Sequence, residues 1–465
     1  MTDGPEIRGV VHQNLYLAGG EREVQALITV DAAGEAAAAL PADAAEVIMI
    51  DRSGSMRHPA EKAIKATEAA GVAIDELRDG VWFAVVAGSE EARMLWPDEP
   101  VLARADPDTR SEAKRALRAM TVGGGTRIGQ WLRLANRLLG QRPSAIRHAI
   151  LLTDGHNEHE TAELLDEAIA ACENGFTCDC RGVGADWSAV ELRRIAKALL
   201  GSVDVVASPD GLADDFRAMM SASMDKRVAE VALRLWTPTG ARVRLVKQTA
   251  PNPVDLTERR AEVTDQVGHY PTGSWGTEQR DFHISIEVPP GELGQERLAG
   301  RLSFVALPPD GDPRPLPQQF LRTRPDGSRQ THPEAMVSAI WTDDIAKSTL
   351  LNPQVAHATG RGAVEGAVRK AMEAYREGDS DQASHFLADA RRWAAEVGDA
   401  TMAEHIDELL DPETGTFRLD RMTPERELEI EMETDRQLPQ HRADDWPDDG
   451  PDTVRGQPDS ERSLP

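Results

Sequence analysis

The 465-residue sequence predicts an α/β protein: a doubly wound, mostly parallel sheet inserted in a β-sandwich, followed by a helical segment and a disordered acidic tail. Three observations carry that prediction. Between about residues 44 and 222, short continuous apolar runs alternate with stretches of helical periodicity, as in strands covered by helices on both faces. On either side, residues 8–31 and 226–308 alternate with a period of two instead. The first of these flanks is too small to bury a core alone, so it needs the second as its partner.

Taken in order, VVHQNLYL and EVQALITV read as strands across a Gly-Gly turn, and residues 1–43 are assigned to the sandwich. EVIMID (46–51) holds a continuous apolar run, as in a central strand, and is followed by a helix over about 59–78. VWFAVVAG (81–88) is a second buried strand, ARMLW (92–96) an edge strand, and a helix spans about 109–119. The turn GGGT precedes RIGQWLRLANRLL (127–139), whose apolar positions recur at helical spacing. HAILLTD (148–154), FTCDCRGVG and SVDVVA are further strands, with helices at about 160–174, 187–199 and 211–222. The inserted domain therefore covers 44–225. RVAEVALRLW, ARVRLVKQTA, RDFHISIEVP and RLAGRLSFVAL supply the rest of the sandwich over 226–308. A Pro-rich linker (309–330), a helical segment (331–410) and a tail without periodicity (411–465) complete the chain.

The net charge of −27 disfavours phosphate backbones and anionic membrane surfaces, so neither nucleic acid nor membrane is expected as a partner. The opening MTDGPEIRGV lacks the basic start and apolar stretch of a secretory signal, and no apolar run is long enough to cross a bilayer. The expected compartment is the cytoplasm. Cys172, Cys178 and Cys180 are too few for a disulfide framework, and the last two are expected to be small apolar core residues.

Three separated segments each end a predicted strand or open a predicted helix. DRSGS offers Asp51, Ser53 and Ser55, GGGTRIG offers Thr126, and LLTDGHN offers Asp154. All would meet at the carboxyl ends of the strands, where open α/β sheets bind ligands. The set contains only oxygen donors, two carboxylates and three hydroxyls, which suits Mg²⁺ or Mn²⁺ far better than zinc or copper. Hydroxyls neutralise a dication poorly, so the ion stays electrophilic and can take an external carboxylate. The following HNEHE matches no zinc pattern and reads as a helix-start loop.

On these motifs the region 44–222 resembles the von Willebrand factor A (VWA) family, whose sheet is Rossmann-like. D-x-S-x-S is met by Asp51, Ser53 and Ser55, the distant threonine by Thr126, and T-D-G by Asp154 and Gly155. The resemblance implies a metal-ion-dependent adhesion site: the serines contact the ion, while Thr126 and the two aspartates act directly or through water. It implies a protein-binding module and not an enzyme. The whole layout, with phrases such as WTDD and ETGTFRL, is similar to cytoplasmic bacterial VWA proteins of stress-response and signalling clusters. That similarity implies a Ser/Thr kinase or FHA-domain protein among the partners.

Arg52, Arg57, His58 and Arg127 flank the metal segments and are expected to form a cationic rim that guides an acidic ligand. Thr434 and Thr453, placed in the tail, are candidate phosphosites. The expected function is metal-dependent capture of a carboxylate on a partner protein. Two alternatives stand beside it: a metal-dependent hydrolase, and a scaffold acting through its helices with a silent metal site. GGGT lacks the Lys-Ser/Thr of a nucleotide loop, and no Ser-His-Asp order is evident.

Overall fold

The chain opens with β1 (Glu6–Gln13), β2 (Tyr16–Ala18) and β3 (Glu23–Ala33). The computed structural model describes residues 6–33, 43–57, 61–154, 157, 159–183, 189–206, 211–309, 311–411 and 414–434. β1 and β3 pair antiparallel, with Ile7, Val24 and Ile28 turned into a core.

The inserted domain follows as β4 (Ala44–Asp51), α1 (Glu61–Glu76), β5 (Trp82–Gly88), β6 (Ala92–Trp96), β7 (Ala103–Arg104), α2 (Pro107–Arg118) and α3 (Ile128–Leu139). It continues as β8 (Ile146–Thr153), α4 (Ala162–Cys172), β9 (Thr177–Val183), α5 (Ala189–Ala198), β10 (Val203–Val206) and α6 (Leu212–Met224). Its strand order is β10-β9-β8-β4-β5-β6, parallel apart from β6, and β7 also pairs antiparallel with β5. Every residue of β4 is buried because helices cover both faces. One face packs Met49 and Leu151 on Trp131 and Ile169, the other Ile48 and Phe83 on Ala70 and Phe216. Cys172, Cys178 and Cys180 lie in the first of these cores as free thiols. Gly88 ends β5 because a side chain there would strike the Trp131 ring, with a Cβ only 2.3 Å from it.

The sandwich resumes with β11 (Val228–Trp236), β12 (Arg242–Ala250), β13 (Val254–Asp255), β14 (Ala261–Thr264), β15 (Val267–Trp275), β16 (Glu278–Glu287) and β17 (Glu296–Ala306). It closes with β18 (Arg314–Pro315), β19 (Gln318–Thr323), β20 (Arg329–His332) and β21 (Ala335–Thr342). One sheet runs β13-β12-β16-β3-β1-β19-β20, and the other β14-β15-β11-β17-β21-β2 with β18 against β17. Ile28, Trp275, Phe282, Phe304 and Phe320 fill the space between them. The stretch expected to be a Pro-rich linker thus contributes strands. Prolines and turn residues mask them locally, and β19 exists because β1 offers a free edge for parallel pairing. The segment expected to be helical from 331 begins with the rest of this β-structure.

At the amino ends of its strands, the inserted domain is joined to the sandwich by ion pairs. Arg147 meets Glu230 at 3.0 Å, and Lys226, in the connection from α6 to β11, meets Glu278 at 2.8 Å. Just inside, His148 lies between Glu46 and Asp179, at 2.9 Å from each. Burial opposes its charge, but the two carboxylates outweigh that and push the imidazole up to about 10.

Helices end the described chain: α7 (Ile345–Ser348), α8 (Pro353–Arg376), α9 (Ser380–Val397), α10 (Ala400–Asp407) and α11 (Pro424–Glu433). The tail was expected to lack structure from 411, yet α11 lies inside it. Ile430 enters the core of α8–α10, whereas Met432 enters the core beneath α4 and α5. Positions two apart face opposite sides of a helix, so a helix bridging two cores shows no single apolar stripe. Arg193 and Arg376 both reach Glu431 from the two sides. Thr434 is buried, its hydroxyl donating to the Glu431 carbonyl at 2.6 Å, which removes the accessibility expected of a phosphosite. Thr453 lies outside the described residues. Met432→Ala is expected to cost about 2–3 kcal/mol of stability in urea unfolding. It is also expected to release α11 to limited proteolysis before the rest of the fold.

Candidate metal centre

Asp51 is the last residue of β4, and Asp154 directly follows β8. These strands pair in parallel with Ile50 opposite Leu152, so both carboxylates emerge side by side at the carboxyl edge of the sheet. One Asp51 oxygen accepts the Ser53 backbone N–H at 2.6 Å, and the other accepts the Thr153 hydroxyl at 2.5 Å. The Ser53 and Ser55 hydroxyls lie 2.8 Å apart, and Ser55 donates to Asp154 Oδ1 at 2.8 Å. Four of the five expected ligands therefore form one hydrogen-bonded cluster. Asp51, Ser53 and Asp154 are buried, while Ser55 is exposed and opens the cluster to solvent.

Thr126 reaches this rim on the glycine turn. Gly123 N–H donates to the Arg52 carbonyl at 2.6 Å, and Gly54 N–H donates to the Gly124 carbonyl at 2.9 Å. Gly124 has φ +100°, a conformation that costs glycine nothing and other residues much. The start of α3 is fixed from the opposite loop: Asn157 accepts the Ile128 N–H and Glu160 the Gly129 N–H, each at 2.8 Å. Glu160 and His159, taken from sequence as a helix-start loop, thus act as struts for the segment carrying Thr126, whose N–H donates to His159 Nδ1.

The cationic rim is only partly as expected. Arg52 donates to Ser89 Oγ at 3.0 Å and Arg57 donates to the Val122 carbonyl, so both clamp the turns around the site. Glu91 lies close enough to Arg52 and Arg127 for both to help hold its carboxyl below the usual range, behind the larger effect of Arg93. Arg57 and Arg127 stay exposed, the latter at the start of α3, Arg52 is half-buried, and His58 lies outside the described residues. Sequence reading missed Lys62, whose ammonium lies 3.2 Å from Asp154 Oδ2. Its signal was its place in line with Ala66, Ala69, Ala70 and Ala73, the buried stripe of α1.

The donor set fits a hard cation. Among the described residues no group of three His, Cys, Asp or Glu side chains forms a cage, so the carboxylates at hand are Asp51 and Asp154 with hydroxyls around them. Burial pushes Asp51 up to about 6 against hydrogen bonds from Thr153 and Ser53 that favour the ionised form. A dication would supply the positive charge that this buried carboxylate lacks.

Comparison with known proteins bears on the family and the fold. A model of the von Willebrand factor type A domain matches residues 45–205. The chain is similar to a solved von Willebrand factor type A protein from Catenulispora acidiphila, with 40% identity and a TM-score of 0.85. That match covers 94% of this chain and 98% of the other. The ArnB paralog VWA2 from Sulfolobus acidocaldarius shares the fold at 14% identity and a TM-score of 0.55, covering 92% of this chain and 98% of its own. None of the curated proteins matches the sequence. Among the described residues no helix is long and apolar enough to cross a membrane.

The raised Asp51 carboxyl would make metal binding at this site pH-dependent. Below pH 6 the metal-free site holds a proton that the cation must displace, and above it the carboxylate is already charged. Calorimetric titration with Mn²⁺ is expected to give a level affinity above pH 7 and roughly tenfold weaker binding at pH 5. A flat profile across that range would show that no proton on Asp51 competes with the metal there.

Proposed function

The chain belongs to the von Willebrand factor type A family, and on that premise we propose that its site binds Mg²⁺ or Mn²⁺ and captures a carboxylate of a partner protein. The observation that carries this reading is the joined cluster of Asp51, Ser53, Ser55 and Asp154 at an open edge of the sheet, with Ser55 exposed. Asp51 and Asp154 stabilise the ion, the serines and Thr126 complete its protein ligands, and an incoming Asp or Glu takes the solvent side. Magnesium prefers such oxygen sites and retains exchangeable water, which is the position a ligand replaces.

Binding fits the residues better than hydrolysis. A hydrolase needs a base free to act beside the ion. Here Asp51 accepts from Ser53 and Thr153, and Asp154 accepts from Ser55 and Lys62. The partner we propose is a component of a bacterial signalling or stress-response complex, such as a Ser/Thr kinase or an FHA-domain protein, with the cytoplasm as the place of encounter.

Affinity capture from lysate of the source cells, with wild type and Asp51→Ala in Mg²⁺ and in EDTA, tests this. A protein retained only by wild type in Mg²⁺ is the expected outcome. The same set of proteins in all four conditions would instead assign recruitment to the helices, with a silent metal site.

A further inference from the structure

α1 turns Ala66, Ala69, Ala70 and Ala73 into the core, and Lys62 stands on that same stripe one turn earlier. A lysine near a helix end ordinarily carries its ammonium out to water. Lys62 instead points inward, with a side chain only 7% exposed and Nζ 3.2 Å from Asp154 Oδ2. Asp154 is fully buried and gives its other oxygen to Ser55. Removing an ammonium from water is costly, and an isolated buried carboxylate beside it would be costlier still, so the pair exists because each compensates the other. The metal centre thus contains a resident positive charge, held against one of its own acidic ligands.

We propose that Lys62 sets both the metal affinity and the ligand preference of this centre. The inference rests on the metal-binding reading above and adds to it. Two effects follow from a single charge. In the metal-free protein the ammonium occupies one carboxylate oxygen of Asp154, and it repels an arriving dication. With the dication bound, two carboxylates, one ammonium and one divalent ion leave a single unit of positive charge. A centre with its carboxylates and dication alone would be neutral. The ammonium therefore favours an anionic ligand on the ion, such as a carboxylate. Lys62 differs from the rim by position: Arg52 and Arg57 hydrogen-bond to groups around the glycine turn and Arg127 is exposed, whereas Lys62 touches an acidic ligand of the site directly.

The test uses the full chain as wild type, Lys62→Met, Lys62→Gln and Asp51→Ala. Free Mn²⁺ is read by its paramagnetic resonance signal, and sodium acetate is then titrated into the loaded protein while water-proton relaxation is followed. Loss of the charge is expected to tighten Mn²⁺ binding by about tenfold or more and to weaken acetate binding by a similar factor. Lys62→Gln keeps a hydrogen-bond donor toward Asp154, so it answers the question even where Lys62→Met does not fold. Mn²⁺ affinities of both folded variants within twofold of wild type would overturn the role of Lys62 while leaving the metal centre in place. Equal Mn²⁺ binding by wild type and Asp51→Ala would overturn the metal centre itself, and this inference with it.

Discussion

The parallel pairing of β4 with β8 is the constraint on which the site depends. It ends two central strands level, so that Asp51 and Asp154 leave the sheet as neighbours despite about a hundred residues between them. Neither carboxylate has a helix stripe or a surface to retreat to, because both faces of the sheet are covered. Two acids forced together in a buried edge require compensation. The structure supplies it with hydroxyls, a backbone N–H group and one ammonium.

The rest of the inserted domain keeps that edge in place. Trp131 packs in the gap left by Gly88 and donates to the Ser89 carbonyl at 2.7 Å, fixing α3 against β5. The glycine turn that leads to Thr126 is pinned to the Asp51 loop by two backbone hydrogen bonds. At the opposite end, Arg147–Glu230 ties the domain to the sandwich, and Lys226–Glu278 fixes the connection that leaves it. A third tether, α11, reaches from the helical segment to α5, and Glu191 of α5 accepts the N–H of Asn157 beside the metal loop. The site is thereby connected through packed elements to the helices at the far end of the chain.

Much of this was legible in the sequence, for physical reasons that differ by element. DRSGS, GGGT and TDG were readable because each motif is local and sits beside a strongly apolar strand or a periodic helix. The orphan strands of 8–31 were placed correctly because a strand pair cannot stand alone, and β3 does pair with β16 across the insertion. What failed was structure made by tertiary context. β19 and β20 are hidden among prolines and turn residues, and α11 divides its apolar side chains between two cores. Arg52 and Arg57 read as free rim charges because sequence spacing does not reveal the carbonyls and the Ser89 hydroxyl within their reach. Lys62 was visible only as a charged residue on an alanine stripe, an anomaly that makes sense once Asp154 is seen opposite it.

The central claim is that the two serines and two aspartates form the seat of a divalent ion. Anomalous diffraction near the manganese edge, from crystals of the full chain grown with Mn²⁺, tests it most directly. The account predicts one strong peak bonded to the Ser53 and Ser55 hydroxyls at roughly 2.1–2.2 Å, with Asp51 and Asp154 around it and Lys62 moved away from Asp154. A peak held by other residues, or no peak at this edge of the sheet while Lys62 remains on Asp154, would contradict it.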